Sequence, residues 1–384
     1  MKIGVLTFWN GNSNYGQIFQ CWALQQYLKQ KGHDPFVIRY IPTVYAPPLK
    51  RFLKKVLFIK EFRLLKTYLF NNKKYKTRCR NASNDIKRNF DEFRNLHLRF
   101  SDLTYHNIRQ LQLNPPNAEL YIVGSDQVWA QILNNINNRA FFLDFGKSET
   151  KRIAYAPSFV VNEYPAAYRD DLKKLLKCFS AVSVREYSGV NICKSVGIEA
   201  TKVLDPTFLL EREDYLSLIR EPIKKKRQIF IYSVNISSSE QIRWEELKKY
   251  AKEKDFKIIV TPSKGYFDAN ELFGSEVEYL YATPQQWLKT IAESEFVVTP
   301  SFHGVAISII LGTPFVYIPL KGQFESGNAR IIDLLSDLSL NNRIISDNQP
   351  YDSIISNYID WEFVSKALKR YKKASYDYLC QCGI

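Results

Sequence analysis

No apolar run in the chain approaches the ~20 residues that cross a bilayer as a helix, so the sequence predicts no membrane span. The amino-terminal stretch MKIGVLTFWNGN holds no hydrophobic segment of signal-peptide length, which leads to an expected cytoplasmic location. Six cysteines (Cys21, Cys79, Cys178, Cys193, Cys380 and Cys382) show no paired spacing, and no disulfide framework is expected. Cys380 and Cys382 are close enough to share a soft metal but lack neighbouring His or Cys to complete a ligand set. Histidine is scarce: His33, His97, His106 and His303 are scattered, and no metal is expected. A GxGxxG fingerprint is missing, as is an acid at the end of the second strand, so a nicotinamide cofactor finds no support. Nor does any nucleic-acid recognition motif accompany the basic charge, and nucleic acid is not an expected partner.

What is present is enough apolar material for a large core. With 384 residues, 45% hydrophobic and 14% aromatic, the length suggests two domains. The net charge of +15 is concentrated: residues 50–99 carry sixteen Lys and Arg against four acids, +12 of the total. Within them, residues 51–70 space Phe52, Val56, Ile59, Phe62 and Leu65 at roughly helical intervals among lysines and arginines. That pattern suits peripheral contact with an anionic membrane at the inner face, and equally a solvated insertion packing on its own domain.

The rest of the chain alternates short apolar runs with helical patterns. Strands are expected at residues 2–8, 36–40, 120–124, 152–156, 181–184, 202–204, 228–234, 257–260, 295–299 and 314–318. Buried runs of this kind between helices indicate parallel sheets covered on both faces. Helices are expected after Gly16, over 240–253, from the Thr283-Pro-Gln-Gln286 capping box, from Gly304 to Gly312, and over 361–379. The economical fold class is α/β: two doubly wound Rossmann-like domains facing a cleft. Residues 1–210 would form the first, with a basic helical insertion at about 49–100. Residues 211–360 would form the second, and 361–384 a helix packing back.

Ligands in such sheets collect beyond the carboxyl ends of the strands. There the sequence delivers Ser301, His303 and Gly304 at a strand–helix turn, with backbone N–H groups for an anion. The Gly124-Ser125-Asp126 turn presents a hydroxyl and a carboxylate, Asp126 being alternatively a helix cap. Arg185 leaves a strand end where its guanidinium would take a carboxylate or phosphate, or else a neighbouring acid. The Asn12–Gln17 loop, with Asn14 and Gly16, can approach an anion through its backbone. His303 suits proton transfer near neutrality, or else serves as a buried structural residue.

Taken in order, Asn14-Tyr-Gly16 with Gln20–Gln25, Val123–Trp129, Ser183–Glu186, Val203-Leu-Asp-Pro206, and Phe302-His-Gly304 with Leu311–Phe315 resemble the polysaccharide pyruvyl transferases. The resemblance spans about the first 330 residues. It implies a fold like that of B-type glycosyltransferases, with no cofactor and phosphoenolpyruvate as donor substrate. The group transferred would close a ketal on sugar hydroxyls of a cell-surface or exopolysaccharide precursor, a saccharide or lipid-linked saccharide. Arg185 and His303 would line the donor site, with Asp126 orienting a hydroxyl or tuning the histidine. Members typically carry arginine two positions before the histidine; Ser301 stands there here, and Arg330 or Lys321 is the candidate replacement charge. Two alternatives stay open: a nucleotide-sugar glycosyltransferase using Glu325 and Ser326 for ribose or phosphate contacts, and a non-catalytic polyanion or membrane-surface binder.

Overall fold

A computed structural model describes residues 1–42, 86–130, 133–236, 238–262, 272–346 and 349–384. The basic stretch 51–70 lies outside them.

Two parallel sheets organise the chain. The first comprises β1 (Lys2–Leu6), β2 (Asp34–Tyr40), β3 (Phe100–Tyr105), β4 (Leu120–Val123), β5 (Lys151–Ala154), β6 (Ala181–Val184) and β7 (Thr201–Lys202), in the order 3-2-1-4-5-6-7. The second comprises β8 (Gln228–Ser233), β9 (Lys257–Pro262), β10 (Glu278–Tyr279), β11 (Phe296–Thr299) and β12 (Phe315–Tyr317), in the order 10-9-8-11-12. In each, the strand order reverses beside the first strand, between β1 and β4 and between β8 and β11. Those reversals open the crevices where ligands lie. Inner strands are buried because helices cover both faces: β4 (LYIV) and β11 (FVVT) are buried at every position.

The helices that build the site have readable causes. Helix α1 (Tyr15–Gln30) starts where the Asn14 side chain accepts the Gln17 amide. Helices α2 (Phe90–His97), α3 (Tyr187–Ser195) and α4 (Trp244–Glu253) follow in the chain. Helix α5 (Pro284–Glu293) has the expected reciprocal box between Thr283 and Gln286. Helix α6 (Phe302–Leu311) stops at Gly312, whose φ of 69° ends it in the left-handed region. Helices α7 (Ala329–Asp337) and α8 (Trp361–Gln381) complete the set.

Three expectations need correction. The helix expected from 240 begins at Trp244, because Arg243 adopts φ 52° and separates it from a short turn at Ser239–Ile242. Residues 100–105, for which the sequence predicts no strand, form β3, which pairs with β2, and just before it α2 packs Phe93 on Phe19. Asp126 caps no helix; only a three-residue turn, Val128–Ala130, follows it.

One apolar core runs through both sheets, joining Val5 and Ile122 to Phe230 and Val297. Its centre is aromatic. Trp287 of α5 stacks on Tyr15 at 5.1 Å and on Phe19 at 5.7 Å, both on α1. Helix α8 packs on the first domain, where Tyr378 donates to the Ala154 carbonyl and Tyr376 stacks on Tyr27.

Candidate active site

The two reversal points face one another across a cleft of about 570 Å³. Its first-domain wall is the β1–α1 loop from Asn10 to Asn14, with Gln17, Asp126 and Gln127; the second-domain wall includes Asn235, Ser301, His303 and Arg330.

The β1–α1 loop is held from below by α2. Arg94 donates to the carbonyls of Trp9 and Gly11 and to Asn12 Oδ1, and is paired with Asp91. Nothing in the local sequence around residue 94 announces that brace, since its partners lie more than eighty residues earlier.

Behind the cleft lies a buried carboxylate. Asp205 Oδ2 accepts from Ser125 Oγ and Arg185 Nη1, both at 2.8 Å, and stands 3.6 Å from His303 Nε2. Its Oδ1 accepts from the Thr207 amide and hydroxyl. Burial opposes ionisation of this group. The charge and hydrogen bonding of His303, then Arg185, then the Thr207 amide outweigh it and hold the carboxyl far below the usual carboxylate range. Asp205 belongs to the Val203–Pro206 landmark, yet sequence reasoning gives it no role, because an acid before proline reads as a turn.

His303 lines the cleft with its side chain 8% exposed. The opposite face of the ring meets Gly16 so closely that an added Cβ would stand 2.1 Å from Nδ1 and 2.4 Å from Cγ. Gly16 therefore fits the histidine into place. Gly16→Ala would gain up to ~1 kcal/mol of helix propensity and lose ~1–3 kcal/mol to overpacking. Net destabilisation is the expected result in thermal denaturation, and increased stability would show that the ring yields freely.

Arg185 does not line the cleft, contrary to the expectation of a direct donor contact. It is 3% exposed, bonded to Asp205, within 3.8 Å of Asp126, and lies over the Phe302 ring at 4.5 Å. The guanidinium on the cleft wall is Arg330, at the start of α7. Burial and the Arg185 charge push its pKa down to about 10, which leaves it protonated near neutrality. With the Gln127 amide in the orientation that satisfies both groups, its oxygen lies 2.5 and 2.6 Å from the two Arg330 Nη atoms.

The remaining expected residues divide clearly. Asn14 and Ser301 line the cleft, each also capping a helix: Asn14 accepts the Gln17 amide and Ser301 Oγ accepts the Gly304 amide at 3.3 Å. Gly304 therefore does not offer its N–H to a ligand; its missing side chain lets α6 pack on β11, where a Cβ would meet Thr299 Oγ1 at 2.7 Å. The α6 amides before it have no intrahelical acceptor. Ser125 is fully buried, engaged with Asp205 and the Ala156 carbonyl, and cannot touch substrate. Glu325 is exposed and absent from the cleft lining, although its neighbours Phe324 and Ser326 are there.

No curated protein matches this sequence. Among solved structures the chain is similar to the UDP-N-acetylglucosamine 2-epimerase of Rickettsia bellii, at 11% identity and a TM-score of 0.51 over 99% of this chain and 95% of that one. It is similar as well to the S. aureus MnaA–UDP co-structure, at 11% identity and a TM-score of 0.51 over 98% and 94% of the two chains. At such identity the likeness is one of fold, two parallel α/β domains of the B-type glycosyltransferase kind. The sequence profile of one family, covering residues 14–322, takes in α1, the Asp205 cluster and the His303 turn, and on that match the chain belongs to the polysaccharide pyruvyl transferase family.

Proposed function

We propose that this transferase moves the pyruvyl unit of phosphoenolpyruvate onto two hydroxyls of a saccharide, closing a cyclic ketal in the interdomain cleft. One observation carries the reading: Arg330, His303 and the first amides of α6 converge on a single cleft. A guanidinium beside a helix N-terminus is a site for a small donor that carries both a carboxylate and a phosphate.

The chemistry fixes what the site must supply. A first sugar hydroxyl adds to C2 of the donor while C3 gains a proton and becomes methyl. A second hydroxyl then displaces phosphate from C2. One hydroxyl proton ends on the methyl group and the other leaves with phosphate. In this reading His303 moves these protons, with the Asp205 carboxylate 3.6 Å behind Nε2. Asp126, on the opposite wall, orients an acceptor hydroxyl rather than the histidine. Arg330 replaces the charge absent at Ser301, approaching from the next βα unit. The acceptor in this reading is a saccharide or lipid-linked saccharide, and the reaction as written draws on no cofactor.

Phosphate release from phosphoenolpyruvate, dependent on added saccharide, is the expected result. Stabilisation against heat by UDP with none by phosphoenolpyruvate would overturn it in favour of a nucleotide-sugar glycosyltransferase.

A further inference from the structure

Helix α7 is anchored at both ends to different tasks. Its first turn carries Arg330 on the cleft wall. One and two turns later, Asp333 and Asp337 share a face, being four residues apart, and both reach across to the first domain. Asp333 Oδ2 accepts the Tyr187 amide at 2.9 Å, so it caps the N-terminus of α3, whose own first turn holds no acid. Asp337 pairs with Lys202 of β7 and accepts from Tyr371 Oη of α8 at 3.1 Å. Lys202 Nζ lies over the Tyr187 ring at 4.1 Å and near the Tyr371 ring at 5.6 Å. The Lys202 and Asp337 side chains are only 14% and 8% exposed, so this cluster is shielded from the screening that weakens surface pairs.

The cluster also adjoins the catalytic groups. A cavity of about 20 Å³ is lined at once by Lys202, Asp337, Tyr371, Asp205, Arg185 and Arg330. Hence the two domains meet along α7 on the far side of the very residues that face the cleft.

We propose that Lys202 and its partners Tyr187 and Tyr371 are positioning residues. They latch α7 to the first domain and thereby hold the Arg330 guanidinium at its place on the cleft wall. None of the three lines the cleft. The inference rests on the proposed donor role of Arg330 for its functional effect, while the latch itself can be read without any substrate.

Two measurements on the full-length protein separate these parts. In Lys202→Met, hydrogen exchange of the α7 amides should speed up at least tenfold while β8 and β11 stay protected. Unchanged exchange in α7 overturns the latch whatever the donor. With phosphoenolpyruvate as the varied substrate, the same variant should raise KM about tenfold and leave kcat within twofold, and Lys202→Arg should recover most of the loss. Combined with Arg330→Gln, it should add little to that variant's KM, because both act through one guanidinium. A fully multiplicative effect, or an unchanged KM beside a loosened α7, overturns the positioning role. If the wild-type protein turns over no phosphoenolpyruvate, the functional reading falls and hydrogen exchange alone decides the latch.

Discussion

Asp205→Asn should cost roughly 3–5 kcal/mol of folding stability, the usual penalty for removing one partner of a buried ion pair, and abolish most turnover. The carboxylate is fully buried and collects donors from Ser125, Arg185 and Thr207. An amide in its place keeps the shape, yet it leaves the Arg185 charge buried without its 2.8 Å partner, beside Asp126 at 3.8 Å. It also turns an N–H toward groups that are donors themselves. Because the folded-state pKa of Asp205 is depressed, its contribution is fully present above the ordinary carboxylate pKa of ~3.9 and lost as pH falls toward the folded value. Denaturation series should therefore show a constant gap between wild type and variant from pH 8 to about 5, closing only in stronger acid. A gap under about 0.5 kcal/mol at pH 7 would remove Asp205 from the centre of the fold.

Arg330→Gln should act on the opposite quantity. Losing charge-assisted bonds to an anionic donor is worth about 1.5–3 kcal/mol, which corresponds to roughly a 10- to 150-fold rise in KM for phosphoenolpyruvate. Stability should hardly fall, since the substitution relieves repulsion between Arg330 and Arg185. Steady-state kinetics at saturating saccharide measures the first effect and thermal denaturation the second. An unchanged donor KM would detach the guanidinium from donor binding. The two variants together separate the buried support of the histidine from the contact with the anion.

Much of this organisation is legible in the sequence, for physical reasons. Strands such as β4 and β11 are continuous apolar runs flanked by turn residues, and the Thr283–Gln286 box and Gly312 mark helix ends with their own hydrogen-bonding needs. The edge strand β3 is not legible, because three of its six positions are exposed and its sequence FSDLTY lacks a buried run. His303 is found at a strand–helix turn by pattern alone. The burial of Arg185 is not: its partner Asp205 lies twenty residues on, and only the pairing of β6 with β7 brings the two together. Arg330 presents a similar case, since nothing near residue 330 signals that Gln127 of the other domain meets it. Local chemistry thus announces which side chains can act; the fold decides which of them an incoming ligand can reach.

The aromatic stack of Tyr15, Phe19 and Trp287 also bears on any attempt to divide the gene. All three rings are essentially without solvent contact, and they come from different domains. A fragment ending near residue 210 would present one side of that stack to water, and its complement the other. Such greasy surfaces drive association, so each piece made alone is destined for aggregates, and the two must be produced as one polypeptide or mixed while still unfolded.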